Sequence, residues 1–296
     1  MQSRYLMEWI INMGNNIHWY TGHIKKATIK IEERIKSVDL IIELLDARAP
    51  LSSINKDFER IVGNKKRLFV FTKSDLADPS QTELWKQYFL KDGKDVLLLD
   101  INKDNVSKVL TDKIKLYGKE KHEKEMANGM KPKPIRAMIG GIPIVGKSTL
   151  INKLSKRKAA GVENRPGFTR GEQFIKVNND FLLVDTPGIL PMSYEDKKKA
   201  TNLALIGAIR EEILPKYDLV SYLFGFLQEK YPKGLNARYG IDAINEIPET
   251  INTIGSKRGA LRAKGEIDLE KATSLILSEF RNGLIGRITL EWVNNA

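Results

Sequence analysis

Residues Gly141-Ile142-Pro143-Ile144-Val145-Gly146-Lys147-Ser148-Thr149 set two glycines either side of four residues, followed by a lysine and two hydroxyls. An apolar run, Ile135 to Ile139, precedes them and a helical pattern, Thr149 to Leu154, follows. Strand, glycine loop and helix in that order form a phosphate-binding loop. The glycines let backbone N–H groups close around phosphate oxygens, and the helix N-terminus adds a favourable dipole. A loop of this kind needs a parallel sheet to present it.

Four further apolar runs bounded by turn residues read as buried strands: Val38 to Leu45, Leu68 to Phe71, Val96 to Leu99 and Phe181 to Val184. Helical patterns lie between them, at Leu84 to Leu90 and Val106 to Tyr117, so the predicted fold is α/β with a mostly parallel sheet. Trp85, Tyr88 and Phe89 read as packing residues. The charged stretch Lys119 to Lys133, ending in Pro132 and Pro134, reads as a solvated, extended linker. Beyond about residue 192 the strand signals stop and the pattern is helical, with breaks at Pro215, Pro232, Gly234 and Pro248. The expected organisation is an extension at 1–16, a sheet domain at 17–192 and a smaller helical domain at 193–296.

Three more segments carry chemistry. Asp185-Thr186-Pro187-Gly188 follows a strand, so Asp185 can hold Mg²⁺ through water and the Gly188 N–H can sense a γ-phosphate. In the glycine loop, Lys147 is placed to reach the β- and γ-phosphates, and Ser148 to ligate Mg²⁺. Arg165-Pro166-Gly167-Phe168-Thr169-Arg170 occupies the place of a switch loop, with Thr169 as the residue to cap Mg²⁺. Thr72-Lys73-Ser74-Asp75 follows the strand Leu68 to Phe71. A carboxylate at Asp75 accepts from the guanine N1–H and its exocyclic amine, a donor pair that adenine lacks. Charged hydrogen bonds contribute roughly 1.5–3 kcal/mol each, which argues for GTP over ATP. An ATP-using P-loop enzyme is the reading this carboxylate disfavours.

The chain has 296 residues, no Cys, a formal charge of +12 and a pI of about 9.5. Disulfides and thiolate metal sites are excluded, and a polyanionic partner is favoured. No apolar run approaches the roughly 18 residues that span a bilayer, and Met1 to Asn16 lacks a signal-peptide core. Lys257, Arg258, Arg262 and Lys264 form a basic stretch with no acid among them, interleaved with Gly259. Lys153, Lys156, Arg157 and Lys158 form another. Such clusters suit a nucleic-acid backbone or simply a solvated face.

These motifs together resemble the circularly permuted GTPases of the YlqF/YawG group. The resemblance also rests on Ile17-His18-Trp19-Tyr20-Thr21-Gly22-His23, Asp46-Ala47-Arg48-Ala49-Pro50 and Gly255-Ser256-Lys257-Arg258-Gly259. It implies a permuted, Rossmann-like P-loop GTPase domain followed by a helical domain. It further implies Mg²⁺-dependent GTP hydrolysis to GDP, ribosomal RNA contact and a role in assembling the large ribosomal subunit. A monomer in the cytoplasm, free of the membrane, is the corresponding expectation. His23 is implied as the residue serving hydrolysis, because Ile189 stands where many GTPases carry a water-orienting Gln. Three departures are notable. Ile144 replaces an Asn tied to potassium, which argues against potassium activation. Thr72 replaces the Asn of the base motif. The second base-contacting segment, placed within Leu98 to Asn102, is degenerate. These departures keep open a second reading, an RNA-binding assembly factor that holds nucleotide without hydrolysing it.

Overall fold

The computed structural model describes residues 17–18, 29, 31–155, 174–185, 193–194, 196–209 and 214–293. Its centre is a six-stranded sheet made of β2 (Leu40–Asp46), β3 (Arg67–Thr72), β4 (Asp95–Leu98), β5 (Ile135–Gly141), β6 (Phe174–Lys176) and β7 (Phe181–Asp185). The order across the sheet is β4-β3-β2-β5-β7-β6, and every pairing is parallel except β6 with β7. All seven residues of β2 are buried. Central parallel strands are covered on both faces, so they read as near-continuous apolar runs rather than alternating ones, here broken by Glu43.

Helices α1 (Lys56–Val62), α2 (Pro79–Lys91), α3 (Val106–Ala127) and α4 (Lys147–Ser155) connect the strands. Local chemistry starts each of the first three. Asn55 accepts from the N–H groups of Asp57 and Phe58 at α1. Asp78 accepts from Ser80 and Gln81 at α2, with Pro79 in the first turn, and Asn105 accepts from Lys108 at α3. Phe58 of α1 lies against Gly140, where a Cβ would come within 2.3 Å of its ring, so β5 carries glycine there.

The described part of the C-terminal region is helical: α5 (Lys197–Leu205), α6 (Lys216–Lys230), α7 (Pro232–Tyr239), α8 (Ile247–Lys257) and α9 (Leu269–Arg281). One continuous apolar cluster runs from Ile42 and Ile139 in the sheet through Leu203 to Phe224, Ile276 and Phe280. Two smaller clusters cover the other face, around Phe58 and Met138 and around Phe71, Trp85 and Phe89. After α9 the chain turns back to the sheet. Leu290 N donates to Arg48 O at 2.7 Å and Ile288 N to Leu76 O at 3.0 Å.

Three sequence expectations need correction. The stretch from Lys119 is not a linker as far as Ala127: it continues α3, held on its exposed face by pairs such as Lys124 with Glu120 at 2.7 Å. The antiparallel edge strand β6 is too short and too polar to register as an apolar run. Strand structure also continues past residue 192, because β8 (Ser193–Tyr194) pairs with β1 (Ile17–His18).

Candidate nucleotide-binding site

The direction of the strand order reverses between β2 and β5. Loops at the carboxyl ends of strands flanking such a point form the ligand crevice of an open α/β sheet. Three loops meet there: 141–147 after β5, 72–77 after β3, and 47–54 after β2, which lies between the other two.

The loop after β5 has the geometry its sequence predicted. Gly141 sits at φ 152°, and a side chain there would meet Leu44 O of the neighbouring strand at 2.8 Å. Gly146 sits at φ 104°. Ile142 and Val145 are buried anchors, each 1% exposed. Pro143 and Ile144 form the crest. Ile144 holds φ 55°, an uncommon region for a β-branched residue, and its side chain is 54% exposed beside Gly207. Leu150 N closes the first turn of α4 on Gly146 O at 2.9 Å, which puts Lys147, Ser148 and Thr149 in the helix N-terminal turn. Asp185 ends β7 level with Ile139 of β5.

The base motif reaches this loop directly. Thr72 is fully buried, and its hydroxyl donates to Val145 O at 2.6 Å, with Leu45 O at 3.2 Å. A hydroxyl has one proton, so the shorter bond, to the phosphate loop, takes it. Lys73 turns the chain at φ 54° and places its ammonium 3.2 Å from Asp46 Oδ2. Asp75 is half-buried behind it, and its charge acts on Arg48. The segment within Leu98 to Asn102 also borders the loop. Lys153 of α4 donates to Asn102 O at 3.2 Å and to Ile101 O, and the Ile101 side chain lies against Gly146.

Sequence reasoning missed what Asp46 and Arg48 do. Both are buried, 1% exposed each. Arg48 donates from Nε to Asp46 Oδ1 at 2.9 Å and from NH2 to Oδ2 at 2.8 Å. It reaches onward to Arg281 O at 3.1 Å and Ile206 O at 3.5 Å. Burial pushes the Asp46 carboxyl up, but the charge and hydrogen bonds of Arg48, with the Lys73 ammonium, outweigh it and hold the group at about 2. The one signal for this network was Asp46-Ala47-Arg48-Ala49-Pro50 itself, which carried no role.

The basic stretch is less free than its sequence suggested. Lys257 donates to Tyr239 O at 2.7 Å, and Arg258 to Arg238 O at 3.1 Å. The fold brings acids from elsewhere. Glu279 lies 3.8 Å from Arg258, and Asp268 lies 3.7 Å from Arg262. Lys264 is exposed. His23, Thr169, Gly188, Ile189, Lys156, Arg157 and Lys158 lie outside the described residues, as does the side chain of Asp185.

A glycine loop after β5 and a Thr-Lys-Ser-Asp loop after β3 at the carboxyl ends of a parallel sheet, with a short antiparallel edge strand, define a P-loop GTPase domain whose motifs are circularly permuted. A family model described as "50S ribosome-binding GTPase" matches residues 136–236. The chain is 42% identical over 277 residues to ribosome biogenesis GTPase A of Bacillus licheniformis, covering 93% of this chain and 98% of that one. It is 31% identical over 275 residues to the protein of that name from Thermotoga maritima, covering 92% and 93%. The fold is similar to GDP-bound and GNP-bound structures of YlqF from T. maritima, each with a TM-score of 0.65 and 27% identity. They cover 89% and 90% of this chain and 98% of each of theirs. The chain belongs to the ribosome biogenesis GTPase A family and is a GTPase.

Proposed function

We propose that this protein hydrolyses GTP while assisting assembly of the large ribosomal subunit, in contact with its RNA. The observation that carries the reading is the Thr72–Val145 hydrogen bond, which joins the base motif to the phosphate loop so that one nucleotide spans both. In this reading Asp75 takes the guanine edge and Lys73 covers the base. Gly141 to Thr149 wraps the phosphates, with Lys147 on the β- and γ-oxygens. Among the described residues no group of three or more His, Asp and Glu side chains is placed to hold a metal. Mg²⁺ is bound through nucleotide phosphates and one or two protein oxygens, which hydroxyl and carboxylate side chains would supply here. Ser148, exposed at the start of α4, would supply its hydroxyl, with Thr169 and Asp185 completing the shell directly or through water. The ion would neutralise charge developing on the phosphoryl oxygens. Potassium is left out of the proposed site, because Ile144 at the loop crest offers no side-chain oxygen.

His23 is the proposed residue serving hydrolysis; in sequence it follows β1, whose His18 pairs antiparallel with Ser193 of β8. Replacing His23 with Ala is expected to slow turnover while leaving GTP and GDP affinity unchanged. Unchanged turnover removes His23 from the mechanism.

The basic surface around Lys257, Arg258, Arg262 and Lys264 is the proposed contact for ribosomal RNA, through salt-sensitive phosphate contacts. A mostly helical domain at 193–296, opening with the short strand β8, a monomer and a cytoplasmic location complete the proposal. Among the described residues no helix is long and apolar enough to cross a membrane. The test is GTP turnover of the free protein and of the protein with isolated small or large subunits. Stimulation by the large subunit alone is expected. Binding to it without turnover favours the non-hydrolysing assembly factor, and indifference to it overturns the assignment.

A further inference from the structure

The segment that follows α9 holds the base-reading loop from behind. Arg287, 5 residues before Trp292, donates from NH2 to Ser74 O at 2.7 Å and from Nε to Ala77 O at 2.9 Å. Ile288 N donates to Leu76 O at 3.0 Å, and Asp78 N donates to Thr289 Oγ1 at 3.1 Å. Gly283 lies so close to Leu76 that a Cβ there would come within 2.9 Å of its side chain. Three carbonyls of the loop, those of Ser74, Leu76 and Ala77, are therefore held by one short stretch of chain that is remote in sequence and carries none of the nucleotide motifs. Lys73, at φ 54°, gives the loop a turn that its own residues do not favour. Outside contacts are what such a turn needs to stay in one conformation.

We propose that the C-terminal segment 283–291 is a specificity element of the guanine site, with Arg287 as its positioning residue. It touches no nucleotide. It fixes the backbone on both sides of Asp75, so that the carboxylate meets the guanine edge already oriented and binding pays little ordering entropy. The segment is anchored at its far end by Glu291, which accepts from Leu51 N at 2.7 Å and Ser52 N at 3.0 Å. Its middle is anchored by the Tyr231 hydroxyl, which receives Thr289 N at 3.2 Å. Tyr231 belongs to the junction of α6 and α7, so displacement of the segment from the helical side loosens the guanine loop.

The proposal rests on Asp75 reading guanine, and the experiment separates the two ideas. GDP, ADP and inorganic tripolyphosphate are titrated against the full chain and against Arg287→Ala, Arg287→Lys, Thr289→Val and Asp75→Asn. Arg287 is exposed, so its removal strands no buried charge, and Thr289→Val is nearly isosteric. Arg287→Ala is expected to raise the GDP Kd about fivefold to tenfold, the size of one ordinary net hydrogen bond, and to speed GDP release. ADP and tripolyphosphate affinities stay put, Arg287→Lys recovers part of the loss, and Thr289→Val shows a smaller loss confined to GDP. Equal weakening of GDP and tripolyphosphate means general loosening and overturns the proposal, as does no change. If Asp75→Asn abolishes guanine preference while the Arg287 and Thr289 variants keep it, the guanine reading stands and the proposal falls. If Asp75→Asn keeps the preference, both fall.

Discussion

Arg48→Ala is expected to lower the unfolding free energy by about 3–5 kcal/mol near pH 7, the cost of leaving one partner of a buried ion pair uncompensated. Asp46 would keep the Lys73 ammonium, at 3.2 Å, and the backbone N–H of position 48, at 3.0 Å from Oδ1, but no guanidinium, in a position 1% exposed to solvent. The loss extends beyond the pair. Arg48 also serves the carbonyls of Ile206 and Arg281, at the C-terminal ends of α5 and α9. Helix ends leave carbonyls unpaired and carry partial negative charge, so a cation lodged between two of them is favourable. Arg281 extends the same arrangement, donating to Leu205 O at 2.9 Å and Ala204 O at 2.8 Å. Lysine at position 48 cannot replace the fork that holds both carboxylate oxygens at once. The pH dependence has a definite sign. The folded-state pKa of Asp46 is depressed to about 2, so its contribution is fully present above the ordinary carboxylate value and is lost as pH falls toward 2. Without Arg48, burial is opposed mainly by Lys73 and the carboxyl protonates sooner. The deficit between wild type and Arg48→Ala is therefore expected to narrow below about pH 4. Urea unfolding at pH 7 and pH 3 reads both effects. A deficit under about 1 kcal/mol, or one that fails to narrow in acid, sinks the account.

The parts of this site that were legible in sequence are those whose physics is local. β2, β3 and β5 announced themselves because central parallel strands bury both faces, and their residues run mostly apolar, interrupted inside the strands only by Glu43 and Arg136. The glycine loop did so because Gly141 and Gly146 need backbone angles and clearances that few other residues tolerate. What was hidden is non-local. Arg48 finds its carbonyl partners 158 and 233 residues away, and Arg287 meets Ser74 and Ala77 across 213 and 210. No spacing rule connects such positions. The helical continuation of α3 was hidden for another reason. Its exposed face is stabilised by pairs of opposite charge, and residues such as Lys119, Glu120, Lys121 and Lys124 look the same in a solvated loop. Pro132 and Pro134 did mark a break, but it falls after Gly129, beyond the helix end. The acids beside the basic stretch were hidden as well, because Glu279 and Asp268, which lie near Arg258 and Arg262, come further along the chain.

Asp75→Asn is expected to weaken GDP binding about a hundredfold and to transfer preference to xanthine nucleotides. A carboxylate offers two acceptors, matching the guanine N1–H and N2–H donors. An amide offers one acceptor and one donor. Against guanine, the asparagine NH₂ faces a donor, so one charged hydrogen bond is weakened and the other is replaced by a clash of like dipoles. At about 1.5–3 kcal/mol per charged bond, a loss of two orders of magnitude follows. Xanthine keeps N1–H and carries an oxygen in place of the exocyclic amine, so the amide's two groups find matching partners. Stability should hardly change. Asp75 is half-buried rather than enclosed, and Arg48 keeps its bidentate partner Asp46 when the more distant charge is gone. Phosphate contacts should survive as well, because the Thr72–Val145 bond and the loop from Gly141 to Thr149 do not involve the Asp75 side chain. The measurement is a set of Kd values for GDP, XDP and ADP with wild type and variant, alongside thermal midpoints. If GDP affinity falls while XDP affinity stays flat and the midpoint drops, Asp75 supports the loop rather than reads the base. If GDP affinity holds, guanine is recognised elsewhere on the edge formed by β3 and β4.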